Sequence, residues 1–211
     1  MITVIDSGIA NIGSVMSALR RINAEARVTT GSKEVIEAQA LLLPGVGAFA
    51  DGMESLRRNG LIEAIRAAVA AGTPLLGICL GMQLLADVGE EFGEHEGLGL
   101  IPGRVARLQP TGEGERVPNM GWCDVTPTGT GRLFTDIPPG TAFYFVHSYY
   151  FRCAEEADVT AAIHFGGKAI AVAVERKNVF GAQFHPEKSQ DAGLTVLSAF
   201  VNEVQTMSGH D

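Results

Sequence analysis

The chain has 211 residues, of which 46% are hydrophobic, and this length and composition suit one sizeable α/β domain. Its formal net charge of −8 argues against nucleic acid as the main partner, and no apolar stretch is long enough to span a bilayer. The three cysteines, Cys79, Cys123 and Cys153, show neither CxxC pairing nor metal-ligand spacing. We therefore expect reduced thiols, no metal and a cytoplasmic protein.

The first half of the chain alternates short apolar runs with stretches of helical periodicity. It opens on an apolar strand, not on the basic leader of a signal peptide. The predicted strands are Ile2–Ile5, Arg27–Thr30, Ala40–Leu43 and Pro74–Ile78, and the predicted helices are Asn11–Ile22 and Leu61–Ala71. This alternation predicts an open, mostly parallel sheet with helices on both faces.

From about Val105 the pattern changes to short β-like runs separated by Gly and Pro, which predicts an added antiparallel β region. These runs are Arg104–Leu108, Trp122–Thr126, Ala142–Val146, Val159–Ile163 and Ala169–Val174. A terminal helix over Ala192–Val204 closes the chain. We predict a single domain over residues 1–206 and a frayed tail over 207–211.

Cys79 lies between an apolar run and the predicted start of a helix at Leu80–Leu85, with Gly77 and Gly81 two positions to either side. This spacing is that of a nucleophile elbow, in which the glycines allow a tight turn. A helix N-terminus next to the sulfur would favour the thiolate. A buried structural cysteine is the commoner fate of a lone Cys. The glycine spacing nevertheless favours a nucleophile here.

A candidate base follows the predicted strand Val179–Phe184. His185 comes at the carboxyl end of this strand, Pro186 restricts its backbone, and Glu187 can orient the imidazole. These residues predict Cys79 as nucleophile, His185 as base and then acid, and Glu187 as orienter. His147, in an aromatic run, is the competing base, although a structural histidine is commoner in such a strand.

Attack of such a nucleophile on a carbonyl also needs donors for an oxyanion. The backbone N–H of Leu80, one residue after the nucleophile, is a natural first donor. The second should come from a glycine-rich loop after a neighbouring strand, and Pro44–Gly47 fits this position. On spacing alone, an ordinary turn is the favoured interpretation of that loop.

Three motifs together resemble the class I, triad-type glutamine amidotransferases. Gly77–Gln83 resembles the nucleophile motif of this family, Gln183–Glu187 its His/Glu motif, and Leu43–Gly47 its oxyanion segment. Their order and spacing cover essentially the whole chain. The resemblance implies a flavodoxin-like fold and hydrolysis of L-glutamine through a cysteinyl thioester. It also implies that ammonia passes to a synthase and that no cofactor is needed.

The resemblance implies further site residues. It makes the Val46 N–H the second oxyanion donor, and glycines on both sides would let that peptide flip. The substrate-binding residues that it implies are Gly45, Gly47, Gln83, Glu91, Ser148 and Tyr149.

Other segments narrow the resemblance to the histidine-biosynthetic branch of the family, in which the glutaminase forms a heterodimer with a (β/α)8-barrel cyclase subunit. They are Asp6–Val15, Pro44–Phe49, Pro118–Trp122 and Phe143–Tyr149. The residues implied at the partner interface and ammonia gate are Asn11, Asn119, Met120, Trp122 and Lys188. Asn119 stands where this branch usually has His, and Cys123 where Asn is common.

Two other functions remain open. The same triad serves glutaminases of anthranilate, aminodeoxychorismate, purine and pyridoxal phosphate synthesis, although the segments around Trp122 and His147 argue against these. A non-catalytic module of the same fold could use Cys79 as a redox sensor. The full set of Cys79, His185 and Glu187 is more than a sensor needs.

Overall fold

The computed structural model describes residues 1–112, 114–129 and 131–208. Its helices are α1 (Ile12–Arg21), α2 (Ser32–Ile36), α3 (Phe49–Arg58), α4 (Leu61–Ala70), α5 (Leu80–Gln83) and α6 (Gln190–Ser208). Its strands are β1 (Ile2–Ile5), β2 (Ala26–Thr29), β3 (Leu41–Gly45), β4 (Leu75–Cys79), β5 (Val88–Gly89), β6 (His95–Glu96), β7 (Gly103–Arg107), β8 (Asn119–Pro127), β9 (Thr141–His147), β10 (Tyr149–Cys153), β11 (Val159–Phe165), β12 (Lys168–Arg176) and β13 (Val179–Ala182). Within this described part, no helix is both long and apolar enough to cross a membrane.

A nine-stranded sheet in the order β2-β1-β3-β4-β13-β12-β11-β8-β9 forms the centre of the molecule. The five strands from β2 to β13 are parallel, and the pairs from β13 onward are antiparallel. A second sheet, in the order β10-β7-β5-β6, lies beside it. The prediction of an open α/β sheet with an added antiparallel region is confirmed, and the main sheet is mixed, with a parallel half.

Helices cover both faces of the sheet, as predicted. One hydrophobic core contains Val15 and Leu19 of α1 together with Leu197 and Phe200 of α6. The other core contains side chains of α2, α3, α4 and α5, including the fully buried Phe49. The parallel strands β1, β3, β4 and β13 are therefore buried on both faces, and polar groups can be presented at the ends of these strands.

The structure differs from the sequence-based prediction at several elements. Neither α2 nor α3 is predicted from the sequence pattern, although α3 buries Phe49, Met53 and Leu56 at helical spacing. The helix predicted over Leu80–Leu85 is a single turn that ends at Gln83. The last helix extends to Ser208, beyond the predicted end at Val204 and into the predicted tail. The rest of that tail, residues 209–211, lies outside the described residues.

Three neighbouring parallel strands end at one edge of the sheet. Gly45, the last residue of β3, is paired in register with Cys79, the last residue of β4. On the other side of β4, β13 ends at Ala182, and His185 follows shortly afterwards. Because open α/β sheets carry their sites at the carboxyl ends of parallel strands, this edge is the expected place for chemistry.

The turn from β4 into α5 leaves no room for additional atoms. Cys79 has a φ of +55°, which non-glycine residues seldom adopt. A Cβ on Gly77 would lie 2.6 Å from the carbonyl oxygen of Gly81, and a Cβ on Gly81 would overlap the carbonyl oxygen of Leu43. The two glycines therefore allow the chain to reverse directly above β3 and β4.

We predict that Gly81→Ala lowers the free energy of unfolding by about 1–3 kcal/mol, because the backbone of β3 cannot give way easily. In thermal unfolding this corresponds to a fall in Tm of roughly 2–4 °C per kcal/mol for a chain of this size. Gly13→Ala in α1 is the matched control, since the nearest atom to its new Cβ is 3.9 Å away. A Gly81→Ala variant as stable as Gly13→Ala would contradict the close approach.

Candidate active site

A cavity of about 240 Å³ opens at the carboxyl edge of the parallel strands. It brings together residues that are far apart in the sequence. Its lining consists of Val46, Gly47, Cys79, Leu80, Gln83, Glu91, Pro118, Val146, His147, Ser148, Tyr149 and His185. Most of the predicted catalytic and substrate-binding residues therefore meet around one space. Glu187 stands directly behind His185, and Gly45 stands beside Cys79.

His185 and Glu187 form a buried pair in which both side chains are 3% exposed. The Nδ1–H of His185 donates to Oε1 of Glu187 at 2.8 Å, and its Nε2 has no hydrogen-bond partner among the described residues. Burial alone would lower the pKa of His185, but the nearby Cys79 sulfur and the Glu187 carboxylate outweigh it and raise the pKa to about 9. His185 is therefore an imidazolium at neutral pH, with Nε2 available for proton transfer.

Cys79 is buried, with only 7% of its surface exposed. Its S–H faces the carbonyl oxygen of Val146 at 4.0 Å, and the side-chain amide of Gln183 donates to the sulfur at 3.7 Å. The helix after Cys79 has only one turn, so its dipole is weaker than that of the longer helix predicted over Leu80–Leu85. The imidazolium of His185 is the larger positive charge near the sulfur.

The predicted second oxyanion donor is engaged elsewhere in this structure. The N–H of Val46 donates to the carbonyl oxygen of Ile9 at 2.8 Å. Gly47, which follows it, has a φ of +104° with no atom within 4 Å of an added Cβ. Leu80, the predicted first donor, lines the cavity directly after Cys79.

Gln83 and Glu91 hold fixed positions at the cavity. The Nε2 of Gln83 donates to the carbonyl oxygen of Tyr149 at 3.1 Å and to Oε1 of Gln183 at 2.9 Å. Both of its N–H groups are thus used, which leaves Oε1, an acceptor, for a ligand. Glu91 is not the free loop residue that its surroundings suggest, because its Oε2 accepts the N–H of Phe49 at the start of α3, at 2.8 Å.

The competing histidine, His147, is held in its neutral form. Its Nδ1–H donates to the carbonyl oxygen of Tyr149 at 2.9 Å, and its Nε2 accepts from Nδ2 of Asn119 at 3.0 Å. Burial lowers its pKa to about 4, against the opposing effect of the Tyr149 carbonyl. With both nitrogens engaged, His147 is a structural residue of the cavity wall, and His185 is the histidine with a free nitrogen.

Two polar contacts of the site are not predicted by the sequence pattern. Gln183 belongs to the His/Glu motif without a role of its own, yet its side chain is fully buried and contacts Cys79 and Gln83. Asn119, which the resemblance places at the partner interface, also contacts His147 through its amide, and its Oδ1 accepts from the Cys123 thiol at 3.6 Å. An amide at the end of the apolar strand β13 was the available signal for Gln183.

The residues implied at a partner interface include large exposed side chains of β8. Met120 and Trp122 project from β8 and are 64% and 50% exposed. Trp122 packs edge-to-face on Tyr144, with ring centroids 6.0 Å apart, and the Lys188 ammonium lies 5.8 Å from the Tyr144 ring centroid. Asn11 caps α1 through a hydrogen bond from the N–H of Ser14 at 3.3 Å.

Comparison with known sequences agrees with this geometry. The family described as glutamine amidotransferase class-I matches residues 3–204. An imidazole glycerol phosphate synthase subunit HisH from Moorella thermoacetica is 49% identical, over 94% of this chain and 93% of the relative. The subunit of the same name from Desulfitobacterium hafniense is 46% identical, over 100% of this chain and 99% of the relative.

Solved structures share the fold at low sequence identity. PurLQS from Thermotoga maritima aligns with a TM-score of 0.75 at 18% identity, over 96% of this chain and 98% of that one. A crystal structure of a glutamine amidotransferase aligns with a TM-score of 0.73 at 22% identity, over 99% and 98%. With a family match over nearly the whole sequence and relatives of this identity, the chain belongs to the class-I glutamine amidotransferases.

Proposed function

We propose that this chain is the glutaminase subunit of an imidazole glycerol phosphate synthase. It hydrolyses L-glutamine to L-glutamate and ammonia, and the ammonia is used to make imidazole glycerol phosphate and AICAR in histidine biosynthesis. The relatives at 46–49% identity over full length support this function. The observation that carries the chemistry is the meeting of Cys79, His185 and Gln83 in one cavity, with Glu187 bonded to His185.

In the proposed mechanism, the Cys79 thiolate attacks the side-chain carbonyl carbon of glutamine. The tetrahedral intermediate collapses to a γ-glutamyl thioester as His185 donates its proton to the departing amine, which leaves as ammonia. Neutral His185 then takes a proton from water, whose oxygen attacks the thioester carbon. The thiolate leaves, His185 is again an imidazolium, and the new γ-carboxyl group loses its proton to water as glutamate is released, so the proton balance closes.

The cavity suits the amino-acid end of the substrate. Since the N–H groups of Gln83 are taken by Tyr149 and Gln183, Gln83 offers an acceptor that fits the α-ammonium group of glutamine. The carboxylate of Glu91, held by the Phe49 N–H, adds a negative charge on the same cavity. We propose that these two residues bind the α-ammonium, beside a wall formed by Ser148 and Tyr149.

The oxyanion site is half assembled. Leu80 follows the nucleophile, whereas the Val46 N–H is bonded to Ile9 and becomes a donor only if the Gly45–Val46 peptide turns over. Val46 is not among the non-glycine residues with positive φ, and this rotation would make its φ positive. Such a conformation costs a β-branched residue roughly 1–2 kcal/mol. The missing donor itself is typically worth about 2.7–4 kcal/mol in the transition state.

We further propose that a (β/α)8-barrel cyclase subunit docks beside the cavity and forms a heterodimer with this chain. The exposed Met120 and Trp122, with Lys188 on the Tyr144 ring, supply an aromatic anchor and a charge. Because ammonia released into water is captured as ammonium, a partner on this face suits the chemistry. The three free cysteines support a reducing compartment, and we place the complex in the cytoplasm.

We predict that glutamate release is low for the isolated chain and rises strongly when the cyclase subunit and its nucleotide ligand are added. Cys79→Ala should abolish the rise, and partner binding, followed by calorimetry, should remain. If only a different synthase raised the rate, the catalytic assignment would stand, but the chain would belong to another biosynthetic pathway. Hydrolysis that survives Cys79→Ala in the complex would refute the catalytic assignment.

The alkaline limit of the reaction should report on His185. Since its pKa is raised to about 9, kcat/KM of the complex should fall as the pH rises through that value and the imidazolium is lost. Glu187→Gln removes a charge that holds this proton but keeps an acceptor, so the limit should move to lower pH. The α-ammonium of glutamine titrates equally with both proteins. If the alkaline limit of kcat/KM lay at the same pH in Glu187→Gln as in the unchanged protein, Glu187 would not be the residue that keeps His185 charged.

Val46→Gly should raise the partner-free glutaminase rate about tenfold, because glycine adopts positive φ without the cost that valine bears. Val46→Ala is the matched control, since it shortens the side chain but keeps a Cβ. The measurement is glutamate release by each isolated chain at saturating glutamine. Equal rates for the glycine and alanine variants would show that rotation of this peptide is not what restrains the free subunit.

A further inference from the structure

We propose that Gln183 is a further catalytic residue, whose side-chain amide holds the Cys79 sulfur as a thiolate while Gln83 orients that amide. The inference rests on the proposed role of Cys79 as nucleophile. It assigns to Gln83 a second task, since Gln83 then positions Gln183 as well as the substrate.

The contact joins two buried side chains. Gln183 has no exposed surface and Cys79 is 7% exposed. The Nε2 of Gln183 lies 3.7 Å from the sulfur, within the range of a hydrogen bond to sulfur. Among the described residues, Gln183 is the hydrogen-bond donor to the sulfur. The Val146 carbonyl oxygen, 4.0 Å from the sulfur, is instead an acceptor for the S–H.

The orientation of the Gln183 amide is fixed by the hydrogen bond that its oxygen, Oε1, accepts. Its Oε1 accepts the Nε2–H of Gln83 at 2.9 Å, and the second N–H of Gln83 is held by the Tyr149 carbonyl at 3.1 Å. A flipped Gln183 would set two NH2 groups against each other and turn an oxygen toward the sulfur. The chain of bonds therefore requires that Gln183 present a donor to Cys79.

This donor discriminates between the two forms of the nucleophile. The thiol is favoured by the Val146 carbonyl, and the thiolate is favoured by the Gln183 N–H and by the imidazolium of His185. Hydrogen bonds to charged acceptors are stronger than those to neutral ones, and they strengthen in a buried environment. Unlike His185, the amide carries no titrating proton. It therefore continues to stabilise the thiolate when the thioester is hydrolysed and sulfur is the leaving atom.

The test compares two buried amides at opposite ends of β13. Gln183→Met removes the donor at similar volume, and Asn178→Leu removes an amide that donates to the carbonyls of Val69 and Thr73, at 2.9 and 2.8 Å. In each full-length chain, the rate of Cys79 alkylation by iodoacetamide is followed against pH by mass spectrometry of the Cys79 peptide. The thermal midpoint is measured in parallel.

We expect the pH midpoint of alkylation to rise by about one unit in Gln183→Met, the shift that a charge-assisted hydrogen bond produces. Asn178→Leu should leave it unchanged, although its Tm falls. In the complex, kcat of Gln183→Met should fall about tenfold with a smaller change in KM. An unchanged alkylation midpoint in Gln183→Met would overturn the proposal and leave Gln183 a structural residue.

Gln183→Glu provides a second test of the proposal in case the Gln183→Met variant does not fold. Its carboxylate still accepts from Gln83 but turns an oxygen toward Cys79, so the midpoint should rise at least as far. An unchanged midpoint in this variant would also overturn the proposal. Failure of the proposed function is a separate outcome, because it appears as glutaminase activity that survives Cys79→Ala.

Discussion

The site depends on one sterically demanding turn, at which β4 becomes a helix directly above two neighbouring strands. Cys79 takes a φ of +55° there, and side chains at Gly77 or Gly81 would strike the backbone. The turn raises the sulfur above the carboxyl edge of the sheet. Parallel neighbours then determine what surrounds it, because β3 delivers Gly45 and Val46 on one side and β13 delivers Gln183 and His185 on the other.

The cavity shows how hydrogen-bond partners give one residue type two different states. His185 faces a buried carboxylate and the Cys79 sulfur and has its pKa raised to about 9, whereas His147 is buried between an amide and a carbonyl and has its pKa lowered to about 4. A second imidazolium beside the first would repel it. Neutral His147 therefore permits the charge on His185 to persist at neutral pH.

Two parts of the structure connect the cavity with the surface beside it. The loop that ends at Asn11 supplies the Ile9 carbonyl that holds the Val46 N–H. Asn119, at the start of the strand that carries Met120 and Trp122, bonds to His147 in the cavity wall. A partner that contacts either segment would therefore touch groups one bond away from the site.

The sequence by itself determined the α/β class, the alternating first half, the β-rich second half, and the positions of the elbow and the His/Glu motif. These features are local, because glycine spacing, apolar runs and the order of motifs do not depend on distant contacts. It did not reveal α3, whose glycine and charges obscure a buried face, or the one-turn length of the helix after Cys79. Only the tertiary structure decided that Val46 donates to Ile9, that Glu91 caps α3, that His147 is neutral and that Gln183 contacts the sulfur. Each of these depends on atoms brought together from separate strands and loops, and an amide or imidazole acquires its role from the partners that the fold places around it.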